Sequence, residues 1–156
     1  MSFYYLREEM GLVLNDILDR VCSNNKEYLK NDIAITWINY KSENNHIQKG
    51  YGFGINNKKL IYPASIVKLV YGLAAYSWIE TKKILLSQEI SDAVNKMLFY
   101  SSNDATSFLI DIITGTTSGP CIEGDLWDKW KYQRSIINDW LRELNWNEVC
   151  EINCCQ

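Results

Sequence analysis

Two residues at the start of an apolar segment could together form an activated nucleophile. Ser65 and Lys68 stand three positions apart, and on a helix such residues share one face, with their Cβ atoms about 5–6 Å apart. A serine hydroxyl becomes an effective nucleophile when a base takes its proton, and a lysine amine can be that base when burial disfavours its charged form. Taken alone, the spacing is more typical of a capping serine and a lysine whose stem lies along apolar surface.

A second polar cluster follows in the run Tyr-Ser-Ser-Asn-Asp-Ala-Thr at 100–106. It contains Ser101 and Asn103, at a junction of two predicted helices where polar side chains can project into a cleft. Taken alone, this run is more typical of a helix cap, because serine, asparagine and aspartate all cap well. The position of Lys68 favours chemistry instead, since a lysine within an apolar helix is costly unless it is paired or used.

Together the two clusters resemble the first two motifs, Ser-x-x-Lys and Ser-x-Asn, of the class A β-lactamases and penicillin-binding proteins. The resemblance extends over about residues 5–150. It implies that Ser65 is the acylated serine and that Lys68 takes part in acylation. It also implies that Ser101 relays a proton to the leaving nitrogen and that Asn103 binds the amide of the substrate's side chain. Such a site uses no cofactor and no metal ion.

The sequence departs from this family pattern in several ways. Ser102 stands where class A enzymes usually have aspartate, and the interval from Ser65 to Ser101 is short. The third motif, Lys-Thr-Gly, does not follow Asn103, and without it we expect acylation to be slow or absent. Four downstream glutamates could serve deacylation, but none stands in a recognisable motif: Glu123, Glu143, Glu148 and Glu151. The sequence thus predicts a truncated or incomplete β-lactamase-like catalytic domain, a single domain over residues 1–156.

The elements that must position these residues follow from hydrophobic periodicity and turn signals. The predicted fold class is α+β: a β-lactamase/transpeptidase-like helical cluster with an N-terminal helix and a two-stranded remnant of the antiparallel sheet. The rest of the sheet is expected to be missing. The first predicted elements are a helix over 6–21 and an antiparallel hairpin of strands 32–40 and 50–55. A buried helix over 66–79, entered at Pro63, a helix over 88–99 capped by Ser87 and a helix over 103–113 follow. The last predicted helix covers 125–144, is capped by Asp125 and has an apolar face formed by Trp130, Ile137, Trp140, Leu141 and Leu144.

Composition limits the kind of protein. With 47% hydrophobic and 22% charged residues in 156, the chain predicts one folded domain. A net charge of −3 and scattered basic residues argue against nucleic-acid binding. Neither a signal sequence nor a membrane-spanning run is recognisable, so the sequence predicts a cytoplasmic protein, although members of the resembling family are often exported. Five irregularly spaced cysteines and a lone His46 favour reduced thiols over a disulfide framework or a zinc site.

Three functions remain open at this point. The first is a serine hydrolase that opens a small-molecule amide or β-lactam through an acyl-enzyme on Ser65. The second is a penicillin-binding D,D-peptidase or a serine amidase such as a glutaminase, and the third is a truncated, non-catalytic remnant. A Ser-His-Asp site at His46, a phosphate loop at residues 50–54 and a tryptophan platform are less favoured. The oligomeric state is not predicted.

Overall fold

The computed structural model shows helices and strands in one chain, so the predicted α+β class is confirmed at that level. The chain divides into two compact units, residues 1–61 and 62–156. The structure describes residues 4–23, 27–40, 42–43, 46–47, 49–117, 119, 121–145 and 154.

The first unit combines a small sheet with one helix. In chain order its elements are β1 (Tyr4–Leu6), α1 (Glu8–Val21), a 3-10 turn (Glu27–Asn31), β2 (Ile35–Asn39), β3 (Ser42–Glu43), β4 (His46–Ile47) and β5 (Gly50–Ile55). The predicted hairpin is confirmed, because β2 pairs with β5 in antiparallel register, with Trp37 opposite Phe53. Between them, β3 and β4 form a separate two-stranded ladder.

The prediction of a two-stranded sheet was wrong. The sheet has three strands in the order β1-β5-β2, and β1 runs parallel to β5 with Leu6 opposite Gly52. The Arg7 N–H donates to the Gly52 carbonyl at 2.9 Å. Since a hairpin alone is marginal in water, β1 supplies the partner that β5 lacks. Leu6 was assigned to the helix because its spacing matched the helical pattern, but α1 begins at Glu8.

The glycines of β5 allow its neighbours to approach closely. A Cβ atom on Gly52 would lie 2.6 Å from the Trp37 carbonyl oxygen and 3.0 Å from the Tyr4 ring. A Cβ atom on Gly50 would lie 2.8 Å from the Ile38 side chain. Their spacing in the sequence therefore reflects strand packing rather than a phosphate loop.

The second unit is helical. It contains a 3-10 turn (Ala64–Ile66) and the helices α2 (Val67–Glu80), α3 (Gln88–Tyr100), α4 (Asn103–Thr114), α5 (Asp125–Arg134) and α6 (Ile136–Glu143). The predicted cap of α3 is confirmed, because the Ser87 hydroxyl accepts a hydrogen bond from the Ile90 N–H at 3.2 Å. The core of the second unit is formed by Tyr71, Ala74, Ala75, Trp78, Ile90, Ala93, Val94, Met97, Ala105, Leu109, Ile110, Ile113, Ile137, Leu141 and Cys154.

Helix α2 is buried on one side only, contrary to the prediction of a fully buried helix. Tyr71, Ala74 and Trp78 are at most 3% exposed, whereas Leu69 and Tyr76 are 60% and 59% exposed. Two helices, α3 and α4, pack against α2. They cover one face, so apolar residues on the opposite face remain in solvent.

The predicted helix over 125–144 is two helices. Ser135 separates α5 from α6, and its hydroxyl donates to the Tyr132 carbonyl at 2.8 Å. Gly124, with a φ of 61°, takes the N-cap position assigned to Asp125. Helix α5 buries none of its residues, whereas α6 buries Ile137, Asn138 and Leu141.

Residue 154 is held on α6 by a side-chain amide. Asn138 Nδ2 donates to the Cys154 carbonyl at 3.0 Å, and the Cys154 N–H donates to Asn138 Oδ1 at 2.7 Å. Cys22, Cys121 and Cys154 are free thiols, while Cys150 and Cys155 lie outside the described residues.

In the described part of the chain, no helix is long and apolar enough to cross a membrane.

Candidate active site

Lys68 lies in the first turn of α2 and is only 6% exposed. Its Nζ donates to the Ser101 carbonyl at 2.5 Å, to Ser101 Oγ at 2.9 Å and to Asn103 Oδ1 at 2.7 Å. An ammonium group has three N–H donors, and here each has an acceptor. The side chain therefore does not extend along the surface into solvent. It ends in a partly buried polar cluster, which we call the Lys68 cluster: Lys68, Ser101 and Asn103.

In the turn between α3 and α4, one residue caps α4 and its two neighbours accept hydrogen bonds from Lys68. Ser102, the residue between the two cluster members, is the N-cap of α4, and its hydroxyl accepts from the Ala105 N–H at 3.2 Å. Its carbonyl also accepts from the Thr106 hydroxyl at 2.7 Å. Because Ser102 performs the capping, the side chains of Ser101 and Asn103 are left for Lys68.

Ser65 lies in the 3-10 turn that precedes α2 and is exposed. Within the described part of the chain its hydroxyl forms no hydrogen bond, and Lys68 is engaged with Ser101 and Asn103 instead. The structure thus joins three of the four predicted site residues by hydrogen bonds. The fourth, Ser65, stands one helical turn from Lys68 along the chain.

Two residues of this region have left-handed backbones although neither is glycine. Ala64, directly before Ser65, has a φ of 47°, and Ser101 has a φ of 54°. At Ser101 this is the ordinary geometry of a helix C-cap, because the residue after the end of a helix commonly adopts a left-handed conformation. Ala64 begins the 3-10 turn before α2.

Neither described candidate for deacylation belongs to the Lys68 cluster. Glu123 and Glu143 are exposed and form no hydrogen bond with its members, while Glu148 and Glu151 lie outside the described residues. The exposed carboxylate of Asp104 follows Asn103 directly. The described residues therefore supply a lysine and two serines but no carboxylate positioned to activate a water molecule.

A recess of about 480 Å³ lies in the first unit, lined by Leu6, Arg7, Glu8, Glu9, Asn39 and Tyr51. None of the four predicted site residues lines it. The guanidinium of Arg7, which lines the recess, lies 5.4 Å from the centre of the Tyr51 ring. This recess therefore contributes no part of the predicted chemistry.

Sequence reasoning did not anticipate a partly buried ion pair between α4 and α5. Arg134 Nη1 donates to Asp111 Oδ1 at 2.6 Å and to the Thr116 hydroxyl at 2.7 Å. The two charged side chains are 14% and 23% exposed, and Arg134 Nε has no acceptor among the described residues. Since α5 buries no residue of its own, this pair is a main attachment of α5 to α4. Nothing in the spacing of residues 111 and 134 announces it.

The tryptophans of α5 are occupied by neighbouring groups. Trp127 and Trp130 stack with ring centres 5.4 Å apart, while Lys131 lies 5.6 Å from the Trp127 ring and Arg134 lies 5.1 Å from the Trp130 ring. Each ring has one face against its neighbour and a cation beside it, which argues against a sugar platform. Trp146 lies outside the described residues.

Alanine substitution separates the roles of the adjacent serines. Ser102→Ala is expected to lower the free energy of unfolding by about 1 kcal/mol, the usual cost of losing an N-cap. Ser87→Ala is a matched control, because its hydroxyl makes the same 3.2 Å capping bond in α3. Ser101→Ala should cost less than either, because its exposed position lets water reach Lys68. Urea unfolding curves measure all three, and a larger loss for Ser101→Ala would contradict this assignment.

His46 lies in β4 of the first unit. Among the described residues, no group of three or more His, Cys, Asp or Glu side chains could hold a metal ion.

Comparison of this chain with protein-family models, with curated proteins and with solved structures finds no match.

Proposed function

We propose that the second unit carries a serine acyl-enzyme site of the class A β-lactamase type, which opens a β-lactam or a related amide through an ester on Ser65. One observation carries this proposal. Lys68 of the first motif meets Ser101 and Asn103 of the second motif, at 2.9 and 2.7 Å, across more than 30 positions of sequence. Capping does not require this meeting, because Ser102 already caps α4.

The geometry is suited to the proton that leaves Ser65. As Ser65 Oγ bonds to the carbonyl carbon, its proton passes to the Lys68 amine, which must first have lost one N–H proton. The ammonium donates to Ser101 Oγ at 2.9 Å, so the hydroxyl hydrogen of Ser101 is free to pass to the leaving nitrogen as the C–N bond breaks. Water then cleaves the ester and regenerates Ser65. Lys68 and Ser101 thus act as a relay between the nucleophile and the leaving group.

Ser65 activation requires a change in the position of Lys68. In the structure the ammonium donates to Ser101 and Asn103, and no base among the described residues is hydrogen-bonded to the Ser65 hydroxyl. The amine must turn from these acceptors towards Ser65 before it can take the proton. We therefore propose slow acylation in this chain.

The second candidate is a penicillin-binding protein, which keeps its acyl group. It is favoured by a specific feature: no described carboxylate contacts the Lys68 cluster, so nothing described activates water for deacylation. A persistent adduct would support this candidate and rapid turnover would support a β-lactamase. A chain that forms no adduct would be non-catalytic.

Labelling tests the nucleophile directly. Wild-type protein incubated with a fluorescent penicillin, and separately with a fluorophosphonate, is expected to gain one adduct, which peptide mass spectrometry places on Ser65. Ser65→Ala should form none. Ser77→Ala, on the same α2 helix, should label as the wild type does. Equal labelling of Ser65→Ala, or no adduct with either reagent, would overturn the proposal.

A further inference from the structure

We infer that the Lys68 cluster binds a small oxyanion, a phosphate or a carboxylate group, at the exposed side of Ser101 and Asn103. The binding itself does not depend on the proposed reaction, and only its effect on the acylation of Ser65 rests on the proposed function. Two observations carry the inference: the unpaired charge of Lys68, and the hydrogen-bond donors that its acceptors turn away from it.

Lys68 carries a positive charge that no negative charge offsets within the described part of the chain. The residue is 6% exposed, and its three acceptors are a carbonyl, a hydroxyl and an amide oxygen, all of them neutral. The ion pairs of the described residues join other cations to their acids, and Lys68 belongs to none of them. Because a charge taken out of water is unfavourable unless it is compensated, this lysine favours an anion nearby.

The hydrogen bonds of Lys68 fix the direction in which the donors of its partners point. An ammonium group only donates, so Asn103 turns Oδ1 towards Lys68 and its Nδ2 amino group away from it. The Ser101 hydroxyl accepts from Lys68 at 2.9 Å, so its hydrogen also points elsewhere. Neither donor has an acceptor among the described residues, and both side chains belong to exposed residues. A ligand in solvent can therefore accept from both.

The Ser101 hydroxyl transmits the charge of Lys68 to the surface. Hydrogen bonds in a chain polarise one another, so the ammonium makes this hydroxyl a stronger donor. An oxyanion that accepts from Ser101 Oγ would lie about 5 Å from Lys68 Nζ, since two hydrogen bonds separate them. At this distance the attraction between opposite charges remains large near a protein surface. Removing the charge of Lys68 should therefore weaken binding about tenfold or more.

The first turn of α4 gives weaker support. Helix α4 has 12 residues, and the free N–H groups of its first turn form the positive end of the helix dipole. Ser102 accepts from the Ala105 N–H, which leaves the N–H groups of Asn103 and Asp104 with no acceptor inside the helix. The Asp104 carboxylate belongs to the same turn. Its charge competes with a bound oxyanion, so we expect millimolar affinity.

Nuclear magnetic resonance of the full chain tests this binding without any reaction. Inorganic phosphate and, separately, acetate are titrated at constant ionic strength while the amide signals of Ser101 and Asn103 are followed. We expect these signals to shift and to saturate with at least one of the two anions, and the titrations distinguish a phosphate site from a carboxylate site. No saturable shift with either anion would overturn the inference.

Three variants test the role of the Lys68 charge. Lys68→Met should weaken binding at least about tenfold. Asn103→Asp should abolish it, because the new carboxylate pairs with the ammonium. Lys83→Met is the control: Lys83 lies over the Trp78 ring beyond the end of α2, and its loss should leave binding unchanged. Wild-type affinity in Lys68→Met or in Asn103→Asp would overturn the inference. Thermal unfolding confirms that each variant is folded.

A bound oxyanion should also slow the proposed reaction. It would hold the Ser101 hydroxyl hydrogen that passes to the leaving nitrogen, so labelling of Ser65 by a fluorescent penicillin should slow as the anion saturates the site. Labelling that is unaffected by the saturating anion would show that the anion does not bind at Ser101, contrary to the inference. If Ser65 is not labelled at any anion concentration, the proposed function fails, while saturable binding that requires Lys68 still supports the anion site.

Discussion

Lys68→Met is expected to slow acylation of Ser65 by about 10²–10⁴-fold, the usual contribution of a positioned general base. The free energy of unfolding should stay unchanged or rise. Lys68 is 6% exposed, and holding a charge in such a place is often no more stabilising than an apolar side chain of similar size. Methionine fills the same space, and its flexible chain adapts to the gap. Ser101 and Asn103 are exposed residues, so water can replace the lost donor.

The two measurements together distinguish a catalytic lysine from a structural one. Acylation is followed by intact-protein mass spectrometry, and stability by urea unfolding of the same samples. Lys83→Met is the matched control, since Lys83 follows α2 and lies over the Trp78 ring. It should leave acylation unchanged. A clear loss of stability in Lys68→Met with unchanged acylation would mean that Lys68 only holds α2, α3 and α4 together.

Asp111→Ala is expected to lower the free energy of unfolding of the second unit by about 3 kcal/mol. The substitution leaves the Arg134 guanidinium, 14% exposed, without its counter-charge, and breaking a buried pair from one side typically costs about 3–5 kcal/mol. The lower end applies because Asp111 is 23% exposed. In a unit of about 100 residues, such a loss corresponds to a melting temperature about 12–24 °C lower.

Two comparisons make the Asp111 result specific. Asp139→Ala removes the partner of Arg142 in an ion pair whose side chains are 43% and 62% exposed, so it should cost less than about 1 kcal/mol. The double variant Asp111→Ala/Arg134→Met removes both partly buried charges and should recover much of the loss. Equal costs for Asp111→Ala and Asp139→Ala in thermal unfolding would refute the importance of burial at the α4–α5 junction.

Local signals in the sequence were enough to locate most helices and the hairpin. Ser87 was identified as a cap because a serine precedes an amphipathic run, and its hydroxyl makes the expected bond in α3. The β-branched and aromatic run at 35–39 and the glycine-rich run at 50–55 predicted strands that do pair. The cluster of Lys68, Ser101 and Asn103 could be anticipated only from the combination of two motifs, since each motif alone favoured capping.

Features set by distant partners were not predictable in this way. β1 is three residues long, and its pairing with β5 depends on a strand far along the chain. The break at Ser135 depends on how α5 and α6 pack, because no proline or glycine marks it. The Arg134–Asp111 pair and the exposed side of α2 both depend on which helices meet. Local sequence patterns do not indicate which helices pack against one another.

The place of β5 between β1 and β2 also sets an order of assembly for the first unit. β2 and β5 are joined by a short connection, whereas β1 reaches β5 only after α1 and the hairpin have been made. Closing the shorter loop costs less chain entropy, and non-local parallel pairing is the slower event. We therefore expect the hairpin to form before β1 adds to its edge.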